Sequence, residues 1–272
     1  MPEYDPAAYM KKLYLSDPIQ DPLLRRVIES AGLPRASRGL DAGCGVGLQI
    51  PALAEAVGPQ GHVTGLDILP QFVEEARRNL SRWAAAGRVS LIQGDIYKPP
   101  FADRRFDWIW SASCACYAMR RPLELLSALR RILKPGGLLL IVIWSGQQFL
   151  PGYPRLEAAL NATAPGIAPF SAGDNPENHF LRLSGWMRKA GFIGAAAQPF
   201  TEGVCAPFDE PTRSALLTLI EMRWLEAEKE LSRSERRLYQ GITDPTSADF
   251  ILDRPDYYGF YTYTLFRAEA PG

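Results

Sequence analysis

Short apolar runs alternate with longer stretches of helical periodicity between residues 38 and 144. In the longer stretches the apolar residues recur every three or four positions, as they do on one face of an amphipathic helix. This alternation with short connections is typical of parallel strands joined by right-handed helical crossovers. The pattern therefore predicts a doubly wound α/β fold. Strands are predicted near 38–42, 62–67, 88–93, 106–111 and 137–144, and helices at 47–57, 70–85 and 121–133.

The pattern changes on both sides of this region. Residues 1–36 contain no strand pattern, and a helix is predicted from Asp21 to Gly32, with Asp21 as its N-cap and Pro22 at its first position. Residues 145–175 show no clear period. The remaining predicted elements are a helix at 181–191, a strand near 192–199, one or two amphipathic helices within 211–240 and a last strand at 257–267.

These elements suggest three parts in the chain. Residues 1–36 are expected to form a helical lead-in or lid that packs on the main domain. Residues 37–200 together with 246–272 are expected to form the α/β core. Residues 201–245 are expected to be an inserted helical cap over the carboxyl ends of the strands, which is where small-ligand sites of such folds are built.

Charge and composition exclude several classes of function. Thirty basic residues balance thirty acidic ones, and the arginines are dispersed, so no concentrated basic face points to a nucleic acid partner. The longest apolar run, residues 138–144, is too short to span a bilayer. The first residues, 1–6, lack the apolar stretch of a signal peptide, so we expect none. The four cysteines have no framework spacing. We expect a cytoplasmic protein with a small-molecule partner, and the oligomeric state is not predicted.

A glycine-rich segment follows the first predicted strand. Gly43, Gly45 and Gly47 occupy alternate positions directly behind Asp41, and a helical pattern begins at once. Glycine permits positive φ and lets a ligand lie against bare backbone, and a helix start offers unpaired N–H groups. The segment therefore predicts a site for a nucleotide-like cofactor. A dinucleotide fingerprint would need its third glycine where Leu48 stands.

Two acids at the ends of the next strands support a cofactor site. Asp67 ends the second predicted strand, where a carboxylate can accept both hydroxyl protons of a ribose. Asp95 ends the third predicted strand, where it can accept from an exocyclic amine. Because the carboxyl ends of parallel strands meet at one edge of the sheet, both acids are expected beside the glycines. The set predicts a site that holds a ribose and a base.

Five ordered motifs can be read between residues 38 and 144. They are Leu40–Gly47, Gly65–Asp67, Gly94–Asp95, Phe106–Ser111 and Leu133–Gly137. Together they resemble the class I S-adenosylmethionine-dependent methyltransferases, and within them the small-molecule branch that includes the ubiquinone/menaquinone-type enzymes. The resemblance implies a seven-stranded sheet with an antiparallel last strand, S-adenosylmethionine as the methyl donor, and in-line displacement at its sulfonium methyl by a small-molecule acceptor.

The resemblance assigns the methionine side of the donor site to the glycine segment. Asp41 and the loop through Gly43, Cys44, Gly45 and Gly47 are expected to approach the methionine portion of the cofactor.

The resemblance assigns the remainder of the donor site to the following strand ends. Asp67 is expected to take the ribose hydroxyls, with Ile68 flanking the adenine. Asp95 is expected to meet the adenine amino group, and the backbone around Ile96 a ring nitrogen. The carbonyl region at Ser111 is expected to face the methionine amine.

Aromatic residues are the candidates for the acceptor side. Transfer from a sulfonium requires mainly that the nucleophile is aligned with the methyl group and that water is excluded, and aromatic faces favour the positive charge. We expect Tyr9, Tyr14, Tyr117 and Trp144 to line or cover this site. Tyr117 stands where the related branch often carries a histidine. No general base is identified, and Tyr117 and His179 are the candidates for that role.

Other interpretations of the sequence are open. One is a non-catalytic S-adenosylmethionine-binding protein. Another is an NAD(P)-dependent oxidoreductase, against which Leu48 and the segment Lys134–Gly137 argue. Cys114, Cys116 and Cys205 could hold a soft metal or a metalloid such as arsenite. Such cysteines are more often small buried apolar residues, so no metal site is predicted.

Overall fold

The structure is a computed structural model that describes residues 5–117, 121–168, 175–224 and 226–272. Its strands are β1 (Arg38–Ala42), β2 (His62–Asp67), β3 (Val89–Gln93), β4 (Phe106–Ala112), β5 (Leu133–Gln148), β6 (Ile193–Cys205) and β7 (Tyr258–Glu269). Its α-helices are α1 (Pro6–Ser30), α2 (Ile50–Val57), α3 (Pro70–Asn79), α4 (Ser81–Ala85), α5 (Pro122–Ile132), α6 (Pro154–Ala162), α7 (Ala164–Ile167), α8 (Leu183–Lys189), α9 (Glu210–Arg223) and α10 (Arg233–Thr243). Short 3₁₀ helices lie at Pro176–Asn178, Phe180–Arg182, Ala227–Glu230 and Ile251–Asp253.

The seven strands form one sheet in the order β3-β2-β1-β4-β5-β7-β6. The first five strands pair in parallel, whereas β7 runs antiparallel to both β5 and β6. The doubly wound sheet with an antiparallel last strand, predicted from the motifs, is confirmed. Of the part of the chain that the structure describes, no helix is long and apolar enough to cross a membrane.

The side chains of β4 separate the core into two layers. Trp108 and Trp110 share one hydrophobic cluster with residues of α1, α2 and α9. Ile109, between them, belongs to a second cluster that includes residues of α5 and α8. Because successive strand residues point to opposite faces, helices must cover both sides of this sheet. The near-continuous apolar run in β5 is what a strand buried on both faces requires.

The strand order reverses between β1 and β4, which are neighbours although two strands separate them in sequence. The helix after β1 packs in one layer and the helix after β4 in the other. The two connecting loops therefore diverge, and a crevice opens at the carboxyl ends of the strands. This crevice is where the candidate site lies.

The predicted start of the first helix is wrong. Asp21 is not a cap, because α1 begins well before that position and carries Pro18 and Pro22 in its interior. A proline lacks an N–H and favours a first-turn position, which is why the sequence indicated a start at Pro22. A contact with the sheet holds the turn of α1 that contains these prolines: the Tyr261 hydroxyl of β7 donates to the Ile19 carbonyl.

The region without a clear sequence period contains the helices α6 and α7. Leu156 and Leu160 are buried and lie on one helical face, but Glu157 beside them is also buried, with 1% of its surface exposed. A buried acid breaks the amphipathic pattern that sequence reading relies on. The structure explains its position, because its carboxylate accepts hydrogen bonds from the backbone N–H groups of Phe149 and Leu150, both at 3.0 Å.

The later elements are close to their predicted positions, with different bounds. The predicted helical stretch 211–240 is two helices, α9 and α10, and β6 continues to Cys205 rather than ending near residue 199. The division of the chain into a lid, a core and an inserted cap stays a prediction.

Replacing Glu157 with alanine should destabilise the fold. The substitution leaves two buried N–H groups without their acceptor, so we expect the free energy of unfolding to fall by about 3 kcal/mol. Urea denaturation measures this loss. The exposed Glu29 of α1, replaced in the same way, should change stability by less than about 0.5 kcal/mol. A similar small change at both positions would show that the Glu157 contacts do not anchor α6.

Candidate active site

The glycine segment forms the loop between β1 and α2. Gly43, Gly45 and Gly47 have φ angles of 81°, 54° and 83°. Residues with a Cβ adopt such values only with strain. The N–H groups of Gly43 and Cys44 donate to the carbonyl of Leu66 in β2, at 2.8 and 3.0 Å. The loop is therefore fastened to the neighbouring strand.

The outer two glycines are needed for packing as well as for backbone conformation. A Cβ built on Gly43 would lie 2.2 Å from the sulfur of Cys114, which follows β4. A Cβ built on Gly47 would lie 2.7 Å from Cδ1 of Leu80. Both distances are shorter than real Cβ contacts, so these positions let neighbouring side chains approach the backbone.

Gly45 is the open position of the loop. The nearest heavy atom to a Cβ built there is Cδ1 of Leu13 in α1, at 3.9 Å. A ligand can therefore reach the backbone at Gly45 without displacing protein atoms. The middle glycine provides a cradle that a side chain would fill.

Asp67 supports this open position from the end of β2. Its Oδ2 accepts a hydrogen bond from the N–H of Gly45 at 2.9 Å, and its Oδ1 accepts from the N–H of Leu69 at 2.9 Å. Asp67 is buried, with 8% of its surface exposed. Each carboxylate oxygen has a second lone pair, so both can accept a further proton donor from a ligand.

Asp41 lies in the same place but is more deeply buried, at 2% exposure. Burial, and secondarily the charge of Asp67, raise the pKa of Asp41 to about 8. Burial also raises the pKa of the neighbouring thiols of Cys44, well above its usual value, and Cys114, to about 12. Asp41 is therefore held largely protonated at neutral pH, and a cation beside it would favour its ionisation.

The residues expected at the adenine are arranged around the ends of β2 and β3. Asp95 is half-buried, and its Oδ1 accepts from the N–H of Tyr97 at 2.8 Å, which closes a tight turn. Ile96 is buried, whereas Ile68 exposes 59% of its surface. An exposed apolar side chain and a half-buried acid at neighbouring strand ends suit a flat heteroaromatic ring, and these roles stay predictions.

Ser111 connects β4 to β1. Its hydroxyl donates to the carbonyl of Ala42 at 2.6 Å and accepts from the N–H of Ala115 at 3.0 Å. The residue is completely buried. Its side chain therefore fixes the spacing of the two loops, and the expected contact of its carbonyl region with the cofactor stays a prediction.

A cavity of about 150 Å³ lies beside the loop, between α1, α9 and the carboxyl end of the sheet. Leu13, which faces Gly45, also lines this cavity, so the two places adjoin. Three of the four predicted aromatic residues contribute to its lining: Tyr9, Tyr117 and Trp144. The described lining residues are Tyr9, Leu13, Gln20, Ser113, Tyr117, Trp144, Leu219, Met222, Arg223 and Tyr263.

Tyr14 is not among these lining residues. Its hydroxyl donates to Oε1 of Glu75 at 2.9 Å and accepts from Nδ2 of Asn79 at 2.6 Å. Asn79 in turn donates to the carbonyl of Val46 in the glycine loop at 3.0 Å. Tyr14 thus connects α1 to α3 and to the loop. The structure places it outside the cavity, although the sequence suggested a position over the acceptor.

The wall of the cavity is a group of stacked aromatic rings. The ring of Trp144 lies 5.1 Å from that of Tyr261, nearly parallel, and 5.4 Å from that of Tyr263, edge to face. The Tyr263 hydroxyl donates to Oε1 of Gln20 in α1. Large rings held on several sides lose little entropy when a ligand packs against them. The wall is therefore rigid before any ligand binds.

Sequence reasoning did not identify Arg223 as a site residue. It lies at the end of α9 and lines the cavity. A signal was present, because Arg223 continues the apolar face of Leu216, Leu219 and Ile220 at helical spacing. A charged residue on a buried helix face usually has a specific purpose.

His179 is not part of the described cavity lining. Its Nδ1 accepts from the N–H of Leu181 at 3.2 Å, and its ring stacks on Phe180 at 4.9 Å. Burial lowers the pKa of this imidazole. These contacts give His179 a local structural role at the start of a 3₁₀ turn.

The cysteines are unpaired thiols. Cys116 is buried in the loop after β4, whereas Cys205 is exposed at the end of β6, and β5 and β7 lie between these two strands in the sheet. Within the described ranges, no three or more His, Cys, Asp or Glu side chains lie together in a way that could hold a metal ion.

Comparisons with known proteins agree with this geometry. A model of a methyltransferase domain matches residues 40–137. Over 197 residues the chain is 29% identical to the demethylmenaquinone methyltransferase of Staphylococcus aureus, covering 67% of this chain and 78% of that protein.

Solved methyltransferases share the fold. A SAM-dependent methyltransferase from Aquifex aeolicus superposes with a TM-score of 0.53 at 18% identity, covering 98% of this chain and 100% of that chain. The Haemonchus contortus phosphoethanolamine N-methyltransferase 2, in complex with S-adenosyl-L-methionine, superposes with a TM-score of 0.55 at 19% identity. The superposition covers 96% of this chain and 57% of that chain.

The pKa of Asp41 predicts a pH-dependent stability. Below about pH 4 the carboxyl is protonated in both the folded and the unfolded chain. As the pH rises from there to about 8, only the unfolded chain ionises, so this group lowers the free energy of unfolding progressively. Asp41→Asn removes the effect. Urea denaturation at pH 5 and at pH 8 measures this. From the lower to the higher pH, the free energy of unfolding of the variant relative to that of the wild type should rise by an amount on the order of a few kcal/mol.

The control is Asp249→Asn, because Asp249 is an exposed acid. The free energy of unfolding of the Asp249→Asn variant should differ from that of the wild type by the same amount at pH 5 and at pH 8. A pH-independent effect of Asp41→Asn would contradict the assignment of a raised pKa to Asp41.

Proposed function

Because the chain is a class I S-adenosylmethionine-dependent methyltransferase, we propose that it methylates a small, largely apolar acceptor in the cavity between α1 and α9. One observation carries this proposal. Leu13 faces the open position at Gly45 and also lines the cavity, so the donor side and the acceptor side share a wall. Methyl transfer needs this arrangement, because donor and acceptor must meet in line.

The donor side fits the cofactor. S-adenosylmethionine supplies a methyl carbon that is electrophilic because it is bonded to a sulfonium. The open backbone at Gly45 leaves room for a ligand, and the Asp67 carboxylate beside it can accept ribose hydroxyls. We propose that Asp41, with Gly43, Cys44 and Gly47, borders the methionine portion.

The remaining proposed donor contacts surround the base and the amino group. Ile68 offers an exposed apolar face for the adenine. Asp95 can accept from the adenine amine while it holds its turn, and the backbone at Ile96 can meet a ring nitrogen. The carbonyl region of Ser111 is proposed to accept from the methionine amine.

On the acceptor side the protein aligns the acceptor and excludes water. Tyr9, Tyr117 and Trp144 provide flat surfaces against which a planar acceptor can stack. Aromatic faces also favour a nearby positive charge. Leu219 and Met222 of α9 add apolar surface to the lining. Water kept out of this space cannot compete for the methyl group.

The acceptor class is proposed to be a small planar molecule rather than a nucleic acid. The balance of thirty basic and thirty acidic residues, and the small volume of the cavity, about 150 Å³, support this choice. The name of the staphylococcal relative makes demethylmenaquinone the first acceptor to test. A cytoplasmic location is also proposed, supported by four cysteines that are all unpaired.

Transfer is tested with radiolabelled methyl donor. The purified protein is incubated with labelled S-adenosylmethionine and either demethylmenaquinone, in oxidised and reduced forms, or a small-molecule extract. We expect label in small molecules. Label only in macromolecules would contradict the acceptor class, and cofactor binding without any transfer would favour a non-catalytic binding protein.

The open glycine predicts a selective loss of cofactor affinity. Gly45→Ala should weaken binding of S-adenosylhomocysteine at least about tenfold, because the new methyl group occupies the cradle. Titration calorimetry measures this change. Gly87→Ala is the matched control, since Gly87 also has a positive φ and open surroundings but lies in the turn before β3.

The two alanine variants carry the same kind of backbone strain, so both should lose a similar amount of stability. Only Gly45→Ala should lose affinity. Equal affinity in both variants would remove Gly45 from the donor site.

A further inference from the structure

Gln20 of α1 is a half-buried member of the cavity lining. Two other side chains hold its amide group. Its Oε1 accepts a hydrogen bond from the hydroxyl of Tyr263 in β7, and its Nε2 donates to Oγ of Ser16 at 2.7 Å. Gln20 is thus joined both to the sheet and to the preceding turn of its own helix. The amide therefore has a fixed position at the wall of the cavity.

The direction of these hydrogen bonds identifies the two ends of the amide. Ser16 is completely buried, and its hydroxyl donates to the backbone carbonyl of Lys12 at 2.8 Å. Since the single proton of this hydroxyl is used there, its oxygen must accept from Gln20, and only the amide nitrogen can donate. Burial raises the pKa of Tyr263, so its hydroxyl keeps its proton and donates to the amide oxygen.

The amide nitrogen retains a second donor. A glutamine side chain carries two N–H groups, and Ser16 takes one of them. Among the described residues, Ser16 is the acceptor that the Gln20 nitrogen has. When a ligand displaces water from the cavity, the second N–H loses its solvent partner unless the ligand supplies an acceptor atom. The position of Gln20 therefore favours a ligand that carries such an atom.

The aromatic wall leaves one degree of freedom to a flat ligand. A ring that stacks on the face of Trp144 can still rotate in its own plane, because apolar contact is not directional. A hydrogen bond is directional, and one bond to the edge of the ring removes this freedom. Gln20 is suitably placed, because Tyr263, which holds its amide, packs edge to face on Trp144 with 5.4 Å between the ring centroids.

We propose that Gln20 is a specificity-determining residue for the acceptor, and that its second amide N–H donates to a carbonyl or hydroxyl oxygen at the edge of the acceptor ring. This inference rests on the proposed function and adds an oxygen substituent to its acceptor class. Tyr263 and Ser16 are positioning residues, because they hold the amide through its oxygen and its first N–H. By fixing the rotation of the ring, the hydrogen bond determines which ring atom is presented to the donor side.

The discrimination follows from what each ligand leaves unpaired. A ring with the oxygen substituent pairs the N–H of Gln20, whereas a hydrocarbon of the same shape leaves that donor without a partner. Sites that are built to bind a polar group disfavour an analogue that lacks the group. Gln20 therefore distinguishes two ligands that the apolar wall treats alike.

The probes for this proposal are acetophenone and α-methylstyrene. They have the same shape, but the first has a carbonyl oxygen where the second has a methylene group. Each is titrated into the full chain saturated with S-adenosylhomocysteine. Because the two probes differ in hydrophobicity, the quantity compared between proteins is the ratio of the affinity for acetophenone to that for α-methylstyrene. The difference in hydrophobicity cancels in this comparison.

Three variants assign the effect to the amide. Gln20→Met keeps the length of the side chain and should lower the affinity ratio at least about tenfold. Tyr263→Phe removes one of the groups that hold the amide and should lower the ratio by a smaller factor. Gln60→Met is the matched control, because Gln60 is an exposed glutamine before β2, and its ratio should equal that of the wild type. An unchanged ratio in Gln20→Met, or an equal fall in Gln60→Met, would overturn the proposal.

A measurement on the wild type keeps the proposal testable if a variant fails to fold. The carbonyl carbon of ¹³C-labelled acetophenone resonates further downfield when its oxygen accepts a hydrogen bond than it does in cyclohexane. We expect a downfield signal for acetophenone bound to the wild type, and a signal nearer the cyclohexane position in Gln20→Met. A cyclohexane-like signal in the wild type would overturn the inference.

Failure of the proposed function is recognised separately, because the wild-type protein would then transfer no methyl group to small molecules. Methyl transfer by the wild type, together with an unchanged affinity ratio in Gln20→Met, would overturn this inference alone.

Discussion

The junction between the ends of β1 and β4 is the constraint on which the site depends. The Ser111 hydroxyl donates to the Ala42 carbonyl at 2.6 Å, and the Cys114 sulfur occupies the space that a Cβ on Gly43 would need. These contacts hold the glycine loop and the loop after β4 together, although their helices leave to opposite faces of the sheet. The glycine loop and the cavity beside it, the proposed donor and acceptor sides, therefore keep a fixed relation to each other.

The position of α1 is a second constraint, and it sets the shape of the cavity. The hydroxyls of Tyr261 and Tyr263 in β7 donate to Ile19 and Gln20 of this helix. The buried residues of α1 begin only at Ser16, so its first turns lie over the loop and the cavity with lighter packing. The helix is thus anchored at one end and covers the site with the other.

Charge is distributed unevenly over the site. Asp41 and Asp67 lie on the donor side, whereas Arg223 lies on the acceptor side. A sulfonium beside the two acids would meet the carboxylate of Asp67 and would favour the ionisation of Asp41, whose raised pKa otherwise keeps it largely protonated.

The order of the elements and the place of the donor loop could be predicted from the sequence by itself, because both depend on local signals. Strand and helix periods, the spacing of Gly43 to Gly47 and the acid that ends β2 are all readable within a few residues. Only the tertiary structure decided the start of α1, where packing against β7 overrides the preference of Pro22. It also decided that Arg223 lines the cavity, because its side chain donates to Asn161, a residue 62 positions away in the chain.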